Sequence, residues 1–185
     1  LIEAARKSGS LVAGGSFMPF APAFARLAES LKNRPADRPL LGGSVVCPVR
    51  MEEEFGGFFF YTQHLVEIVL SVFGKDVRSV WASRNGVNVS AVCRYDGFDV
   101  SCLWHEGGFH YDACVCYPDG SEFAHVTPQE VGRLHYAELD DVARMIETGK
   151  QPRSYAEMML PLDILWAMYG SLCDGRFHPV VRDEW

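Results

Sequence analysis

The spacing of apolar positions divides the first part of the chain into helical and extended segments. Residues 1–8 have a helical pattern that a glycine ends, and the apolar run at residues 11–16 predicts a short buried strand. Four apolar side chains between positions 20 and 31 recur at i, i+4, i+7 and i+11, so they predict an amphipathic helix that begins near Pro22. The charged, proline-containing residues 33–39 predict an exposed loop, which is the best candidate for a domain boundary.

The rest of the chain combines a β-rich stretch with helices on either side of it. Residues 41–49 predict a strand, and residues 58–73 predict a helix that a glycine closes. Between residues 77 and 123, Asn-Gly, Asp-Gly and Pro-Asp-Gly turns separate short β-rich runs and predict an antiparallel meander of four to five strands. Two helices follow, at residues 139–148 and, after a Ser-x-x-Glu capping box, at residues 154–175.

These elements predict an α+β fold of two layers. Apolar and polar side chains alternate at residues 87–95, which indicates strands with one covered face. We therefore predict an open, mostly antiparallel sheet with helices on one face, which leaves the other face available for packing against a second copy. The pattern does not decide which face of the sheet carries Trp81, Phe98 and Trp104, because a shift of strand register by one residue exchanges the two faces.

Composition narrows the class of protein. The 185 residues are 48% hydrophobic, which suffices for one well-buried core, and the formal net charge is -7. Lys and Arg do not form the basic stripe that nucleic-acid binding requires, so no nucleic-acid partner is expected. Gln63, His64 and Glu67 interrupt the longest apolar run, which argues against a membrane span. We expect a soluble, cytoplasmic protein.

The cysteines raise the possibility of a metal site. Six cysteines are too sparse for a disulfide-dense secreted module, so we predict reduced thiols. Cys114 and Cys116 lie two residues apart in a predicted strand and share a face, and His105 and His110 are near them in sequence. The alternative is that these are small core or face residues beside a Gly-Gly turn. We favour this alternative and predict no metal.

Three stretches of the chain carry a resemblance to one known family. The sequence LIEAARKSGSLVAGGSFMPFAP at positions 1–22 resembles the last helix and strand of the nucleotide-binding domain in the Gfo/Idh/MocA oxidoreductases, where that domain passes to the second one. The sequence GGFFFYTQHLVEIV at positions 56–69 is similar to their glycine-led helix, whose histidine points into the substrate pocket. The closing segment, with DDVA at 140–143 and TGKQP at 148–152, is similar to the family's ending.

The resemblance implies a division of the chain into two parts. Residues 1–33 would be the end of a Rossmann domain with a crossover helix, and residues 34–185 a C-terminal substrate-binding and dimerisation domain. The chain contains no G-x-G-x-x-G fingerprint, which in the family lies upstream, as does the lysine that assists proton transfer. NAD or NADP would therefore be bound mainly by the missing domain, and the chain alone is expected to be inactive.

His64 is the candidate catalytic residue that the resemblance supplies. Oxidation of a sugar hydroxyl needs a base for the O–H proton, and an imidazole suits that role near neutral pH. The family places an aspartate one helical turn earlier, but this chain has Phe60 there. Three explanations stay open: chemistry that relies on the upstream lysine, a polar substitute from Tyr61 or Glu67, or a pocket that binds without turnover. The plain alternative for His64 is a hydrogen-bonded core histidine.

Three functional hypotheses follow, in which Phe60, Tyr61 and Glu67 are the candidate substrate-binding residues. The first is a substrate-binding and oligomerisation domain of an NAD(P)-dependent oxidoreductase that acts on a sugar or cyclitol by hydride transfer. The second is a non-catalytic ligand-binding or regulatory module of the same fold, motivated by Phe60. The third is a purely structural oligomerisation domain, motivated by the free sheet face. The expected partners are a small sugar-like molecule and a second copy of the chain.

Overall fold

The computed structural model describes residues 1–51 and 56–182, which form one sheet with helices against it. The strands are β1 (Gly42–Pro48), β2 (Ser79–Asn85), β3 (Asn88–Arg94), β4 (Asp99–His105), β5 (Tyr111–Tyr117), β6 (Gly120–Val126) and β7 (His178–Pro179). The helices are α1 (Ile2–Ser8), α2 (Pro22–Lys32), α3 (Phe58–Phe73), α4 (Pro128–Thr148) and α5 (Tyr155–Asp174), and a 3-10 turn covers Met18–Phe20. These bounds confirm most of the elements that the sequence predicts.

The sheet is mixed but mostly antiparallel, in the order β6-β5-β1-β4-β3-β2-β7. Gly86, Gly97 and Gly120 have positive φ values in the tight turns between strands, as the turn dipeptides predict. Five strands form between residues 79 and 126, but they are not a simple meander. β1 lies between β4 and β5 and runs parallel to β4, so that pairing joins segments far apart in sequence.

Helices α2, α3 and α5 cover one face of the sheet and make the core. α3 is buried on almost every side, because it packs against α2, α5 and β1. Gly43 lets α3 approach the sheet closely, since a Cβ at that position would lie 2.3 Å from the ring of Phe73. Polar side chains on such a buried helix need partners, and His64 and Glu67 are two of them.

Two predicted elements near the ends of the chain are corrected. Residues 11–16 are irregular rather than a buried strand, and Val12 N–H donates to the side chain of Gln151 at 3.0 Å instead of to a neighbouring strand. The helix predicted at residues 139–148 begins earlier, because Glu130 accepts from the backbone N–H of Thr127 at 2.8 Å and caps its first turn. α4 lies against the 3-10 turn, so the cover of the sheet comes from the other helices.

The second face of the sheet carries a mixture of polar and apolar side chains. Alternation along the strands places Trp104 on the helical face, where it is fully buried, and Phe98 also packs into the core. Trp81 points to the second face together with Leu103 and Phe123, which are 41% and 77% exposed. We call this surface the open face. The predicted two-layer α+β architecture with one free sheet face is therefore confirmed.

The part of the chain that the structure describes has no helix that is both long enough and apolar enough to cross a membrane.

Candidate active site

His64 lies in the middle of α3 and is held by a serine from the segment before α2. The Nδ1 atom of His64 and the Oγ atom of Ser16 are 2.8 Å apart, and both residues are buried. The backbone N–H of Met18 donates to the same Oγ at 3.1 Å, which fixes the hydroxyl in place. The 3-10 turn after Ser16 makes this contact possible, because it folds the backbone back towards Ser16. The imidazole thus has one defined partner, and its Nε2 edge points the other way.

Aromatic side chains surround the His64 ring. Phe17 lies 5.0 Å from it between ring centroids, and Phe60, Tyr61 and Tyr111 lie between 6.1 and 6.4 Å. Burial, together with a smaller contribution from the nearby imidazole of His135, lowers the pKa of His64 from its usual 6.5 to about 4. The imidazole is therefore neutral at physiological pH, which is the form that accepts a proton.

Glu67 does not orient the His64 ring, because its carboxylate binds an arginine from the loop before α5. The Nη1 atom of Arg153 donates to both carboxylate oxygens, at 2.8 and 3.0 Å, and the Glu67 side chain is 5% exposed. The segment around Gly15 passes directly over this pair, since a Cβ on Gly15 would lie 2.8 Å from both side chains. The ion pair thereby supports the backbone that presents Ser16 to His64.

Phe60 and Tyr61 form the more accessible side of the site. Phe60 occupies the position one turn before His64 and is 41% exposed, so no carboxylate reaches the imidazole from there. Tyr61 is half-buried and lines a cleft of about 230 Å³ together with Arg50, Glu106 and other residues. The structure brings both aromatic side chains to His64, as the sequence predicts, and it places Glu67 elsewhere.

A second cavity lies behind Ser16. It has a volume of about 170 Å³, and its lining includes Gly14, Ser16, Glu138, Asp141 and Arg153. The two carboxylate side chains are 40% and 29% exposed, which shows that this cavity reaches the surface. Ser16 therefore contacts the buried imidazole and also lines a space large enough for water molecules.

The metal site considered from the sequence is not formed. The Sγ atoms of Cys114 and Cys116 are 3.8 Å apart on the open face, and the rings of His105 and His110 are 5.1 Å apart. Within residues 1–51 and 56–182, no group of three or more His, Cys, Asp or Glu side chains is arranged to hold a metal ion. His110 instead faces the carboxylate of Asp112 at 3.3 Å.

Sequence reasoning missed Ser16 and Arg153 as parts of this site. Each meets its partner across a long separation in the chain, 48 residues for Ser16 and 86 residues for Arg153. No local pattern links such pairs. The one available signal is that His64 and Glu67 lie among the apolar positions of a mostly apolar helix, and buried polar groups require partners.

Comparison with solved structures identifies the fold, whereas no family model and no curated protein matches the chain. A probable dehydrogenase from Thermotoga maritima matches with a TM-score of 0.79 and 16% identity, over 97% of this chain and 68% of its own. A putative myo-inositol dehydrogenase from Sinorhizobium meliloti 1021 matches with a TM-score of 0.79 and 14% identity, over the same shares of both chains. The chain has the fold of these dehydrogenases.

The resemblance to Gfo/Idh/MocA oxidoreductases is confirmed at the level of this dehydrogenase fold. The scyllo-inositol dehydrogenase from Lactobacillus casei, solved with bound NAD(H) and scyllo-inositol, matches with a TM-score of 0.70 and 13% identity. It is covered over 66% of its length, and 95% of this chain aligns with it. The chain thus spans about two thirds of the dehydrogenases that it matches, and it corresponds to their C-terminal α/β domain.

The dehydrogenase fold raises the question of whether this chain can hold a dinucleotide by itself. Pyrophosphate binding in Rossmann domains uses a glycine-rich turn at a helix N-terminus. None of the 17 glycines of this chain forms a G-x-G pair. The residues of this chain therefore lack the glycine pattern of a dinucleotide site, and the place where a cofactor would bind stays a prediction.

Proposed function

We propose that this chain is the substrate-binding domain of an NAD(P)-dependent oxidoreductase that acts on a hydroxyl or carbonyl group of a sugar or cyclitol. The observation that carries the proposal is the neutral imidazole of His64, held by Ser16 at 2.8 Å within the dehydrogenase fold. The known ligands of similar structures support the substrate class, since one of them binds NAD(H) and scyllo-inositol. Residues 34–185 would carry this function, and residues 1–33 would connect them to a dinucleotide-binding domain.

In this proposal, His64 is the base that receives the hydroxyl proton. Its Nδ1 atom binds Ser16, so Nε2 is the atom available to a substrate. Tyr61 and Phe60 form the adjoining wall, where an aromatic face suits the apolar C–H face of a cyclitol and a phenol hydroxyl can bind one of its oxygens. Glu67 contributes indirectly, because it binds Arg153 and so supports the segment that carries Ser16.

The reaction needs a second domain. A nicotinamide supplies the hydride acceptor, and in the proposed protein it is NAD or NADP held mainly outside this chain. The chain alone is therefore expected to be inactive.

The test is a turnover assay on the full-length protein that contains this chain. NAD or NADP is offered with myo-inositol, scyllo-inositol and a panel of sugars, and reduction of the nicotinamide is followed. We expect turnover that His64→Ala lowers by about 10²- to 10⁴-fold. His178→Ala is the matched control, because His178 lies on the edge strand β7, where its ring contacts Asp174 at 3.0 Å, and its change should leave the rate unaltered.

Two results would contradict this proposal. Turnover that is unaffected by His64→Ala removes His64 from the mechanism. Cyclitol binding without turnover supports instead the non-catalytic ligand-binding module that Phe60 suggested.

We also propose that the open face joins two copies of the chain. Phe123 and Leu103 are exposed apolar side chains on this face, and the helices cover the opposite one. Sizing of the chain should give a dimer or larger, which Phe123→Glu weakens. Tyr136→Glu is the control, since Tyr136 is 71% exposed on α4, away from the sheet. A strictly monomeric chain at high concentration contradicts the proposal.

A further inference from the structure

Ser16 links the His64 ring to the lining of the cavity behind it. Its Oγ atom contacts His64 Nδ1 at 2.8 Å, and the residue lines the cavity that includes Glu138 and Asp141. We propose that Ser16 is a positioning residue that relays a proton between His64 Nδ1 and water in this cavity. The inference rests on the proposed function, in which His64 Nε2 accepts the substrate proton.

The hydrogen bonds around Ser16 limit what its hydroxyl can do. The backbone N–H of Met18 uses one lone pair of Oγ at 3.1 Å, which leaves one lone pair and one proton. When His64 carries its proton on Nδ1, Ser16 Oγ accepts a hydrogen bond from Nδ1–H and its own hydroxyl proton points elsewhere. When Ser16 donates to Nδ1, the imidazole proton is on Nε2. Transfer through Ser16 interconverts these two arrangements.

The surroundings of His64 explain why a proton must be passed on. The imidazole is 7% exposed, and its neighbours are the rings of Phe17, Phe60, Tyr61 and Tyr111. The titratable groups that face the His64 ring are the phenols of Tyr61 and Tyr111 and the imidazole of His135. The His135 imidazole does not stabilise a positive charge on His64. A doubly protonated imidazolium is therefore unfavourable here.

The proposed step conserves protons and electrons. In the oxidising direction the substrate C–H bond breaks and its hydride passes to the nicotinamide, while the O–H bond breaks and its proton passes to His64 Nε2. The proton on His64 Nδ1 moves to Ser16 Oγ, and the former hydroxyl proton of Ser16 moves to a water molecule. His64 remains neutral throughout, and the reverse path supplies a proton for carbonyl reduction.

The cavity can receive the proton. Its volume of about 170 Å³ holds several water molecules, because each occupies about 30 Å³ in the liquid. Glu138 and Asp141, with side chains 40% and 29% exposed, add carboxylates to its lining, where Glu138 also lies 3.7 Å from His135 and Asp141 3.2 Å from Arg144. Such oxygens are hydrogen-bond acceptors when ionised, so they can bind water in the cavity.

The first test measures which nitrogen of His64 carries the proton, by nitrogen-15 NMR of the chain labelled at histidine. Resting protein that is ready to accept at Nε2 should show the Nδ1–H form. Ser16→Ala should change the proportion of the two forms, and Ser16→Thr, which keeps the hydroxyl, should restore the original spectrum. An Nε2–H form in the unchanged chain, or identical spectra with and without the hydroxyl, would overturn the relay.

The second test uses turnover of the full-length protein with NAD and scyllo-inositol. Ser16→Ala should lower kcat by about 10- to 100-fold with little change in KM, as is typical for the loss of a group that acts through a catalytic one. Ser16→Thr should recover most of the rate. If Ser16 only filled space, the two variants would not differ in this way. Recovery of the rate with threonine but not with alanine therefore indicates that the hydroxyl group is needed.

The outcomes separate the relay from the proposed function. Loss of rate in His64→Ala but full kcat in Ser16→Ala refutes the relay and leaves the function intact. Full rate in His64→Ala, or no oxidation of any cyclitol, refutes the function itself. In that last case the NMR result still decides whether Ser16 controls the His64 proton.

Discussion

Removal of Arg153 is the sharpest test of how the site is held together. Arg153→Met deletes the only charge that contacts the Glu67 carboxylate among the residues that the structure describes, and keeps a side chain of similar length. The carboxylate is left 5% exposed beneath the backbone of Gly15. Two hydrogen bonds, of 2.8 and 3.0 Å, disappear together. The change therefore leaves a buried charge without its partner.

The expected loss of stability is large. Deleting one member of a buried ion pair costs about 3–5 kcal/mol. The Arg153 side chain is 26% exposed, so the pair is only partly buried and we expect a loss of about 3 kcal/mol. Replacing both partners by apolar side chains, as in Glu67→Leu with Arg153→Met, removes the unpaired charge. We expect that double variant to recover most of the loss, to within about 1 kcal/mol of the original chain.

Urea unfolding of the chain, followed by far-ultraviolet circular dichroism, measures these differences. Arg78→Met is the matched control, because Arg78 forms an ion pair with Asp96 in which both side chains are more than half exposed. That control should leave the unfolding midpoint unchanged. A loss below about 1 kcal/mol for Arg153→Met, or no recovery in the double variant, would show that Glu67 is not a buried, paired charge.

Two further predictions concern Gly43 and His64. Gly43→Ala should destabilise the chain by more than about 2 kcal/mol, because the new Cβ would lie 2.3 Å from the Phe73 ring. The control is Gly132→Ala, which has open space around it and should be neutral or stabilising by up to about 1 kcal/mol. For His64, the folded pKa of about 4 lies below the unfolded value, so the unfolded chain binds more protons between about pH 4 and 6.5. Stability should rise with pH through that window by up to about 3 kcal/mol, and His64→Gln should remove this part of the slope.

Equal stability of the two glycine variants would contradict the close approach of α3 to the sheet. An unchanged pH dependence after His64→Gln would show that the imidazole is not buried in the folded chain.

Local patterns in the sequence predicted much of the fold. The helix at Phe58–Phe73 follows from apolar positions at helical spacing that Gly74 ends, and the hairpins follow from their turn glycines. The position of β1 did not follow, because its pairing with β4 depends on contacts between residues 42–48 and 99–105. The strand predicted at residues 11–16 failed for a related reason, since a strand needs a neighbour that the pattern alone does not reveal.

The site was only partly visible in the sequence. His64, Phe60 and Tyr61 share one helix, so helical spacing alone brings them together. Ser16 and Arg153 come from other segments, and their roles depend on the turn at Met18–Phe20 and on the loop before α5. The sequence left open whether Tyr61 or Glu67 supplies a polar group beside His64, and in the structure the Glu67 carboxylate binds Arg153 instead.

A crystal structure of the full-length protein with NAD(H) and scyllo-inositol bound tests most directly whether His64 is the catalytic base. We expect a cyclitol hydroxyl within about 2.6–3.2 Å of His64 Nε2, beside Tyr61 and Phe60, with Ser16 still bound to Nδ1. A cyclitol bound away from His64, or a His64 ring sealed off from the ligand by the neighbouring domain, would contradict it.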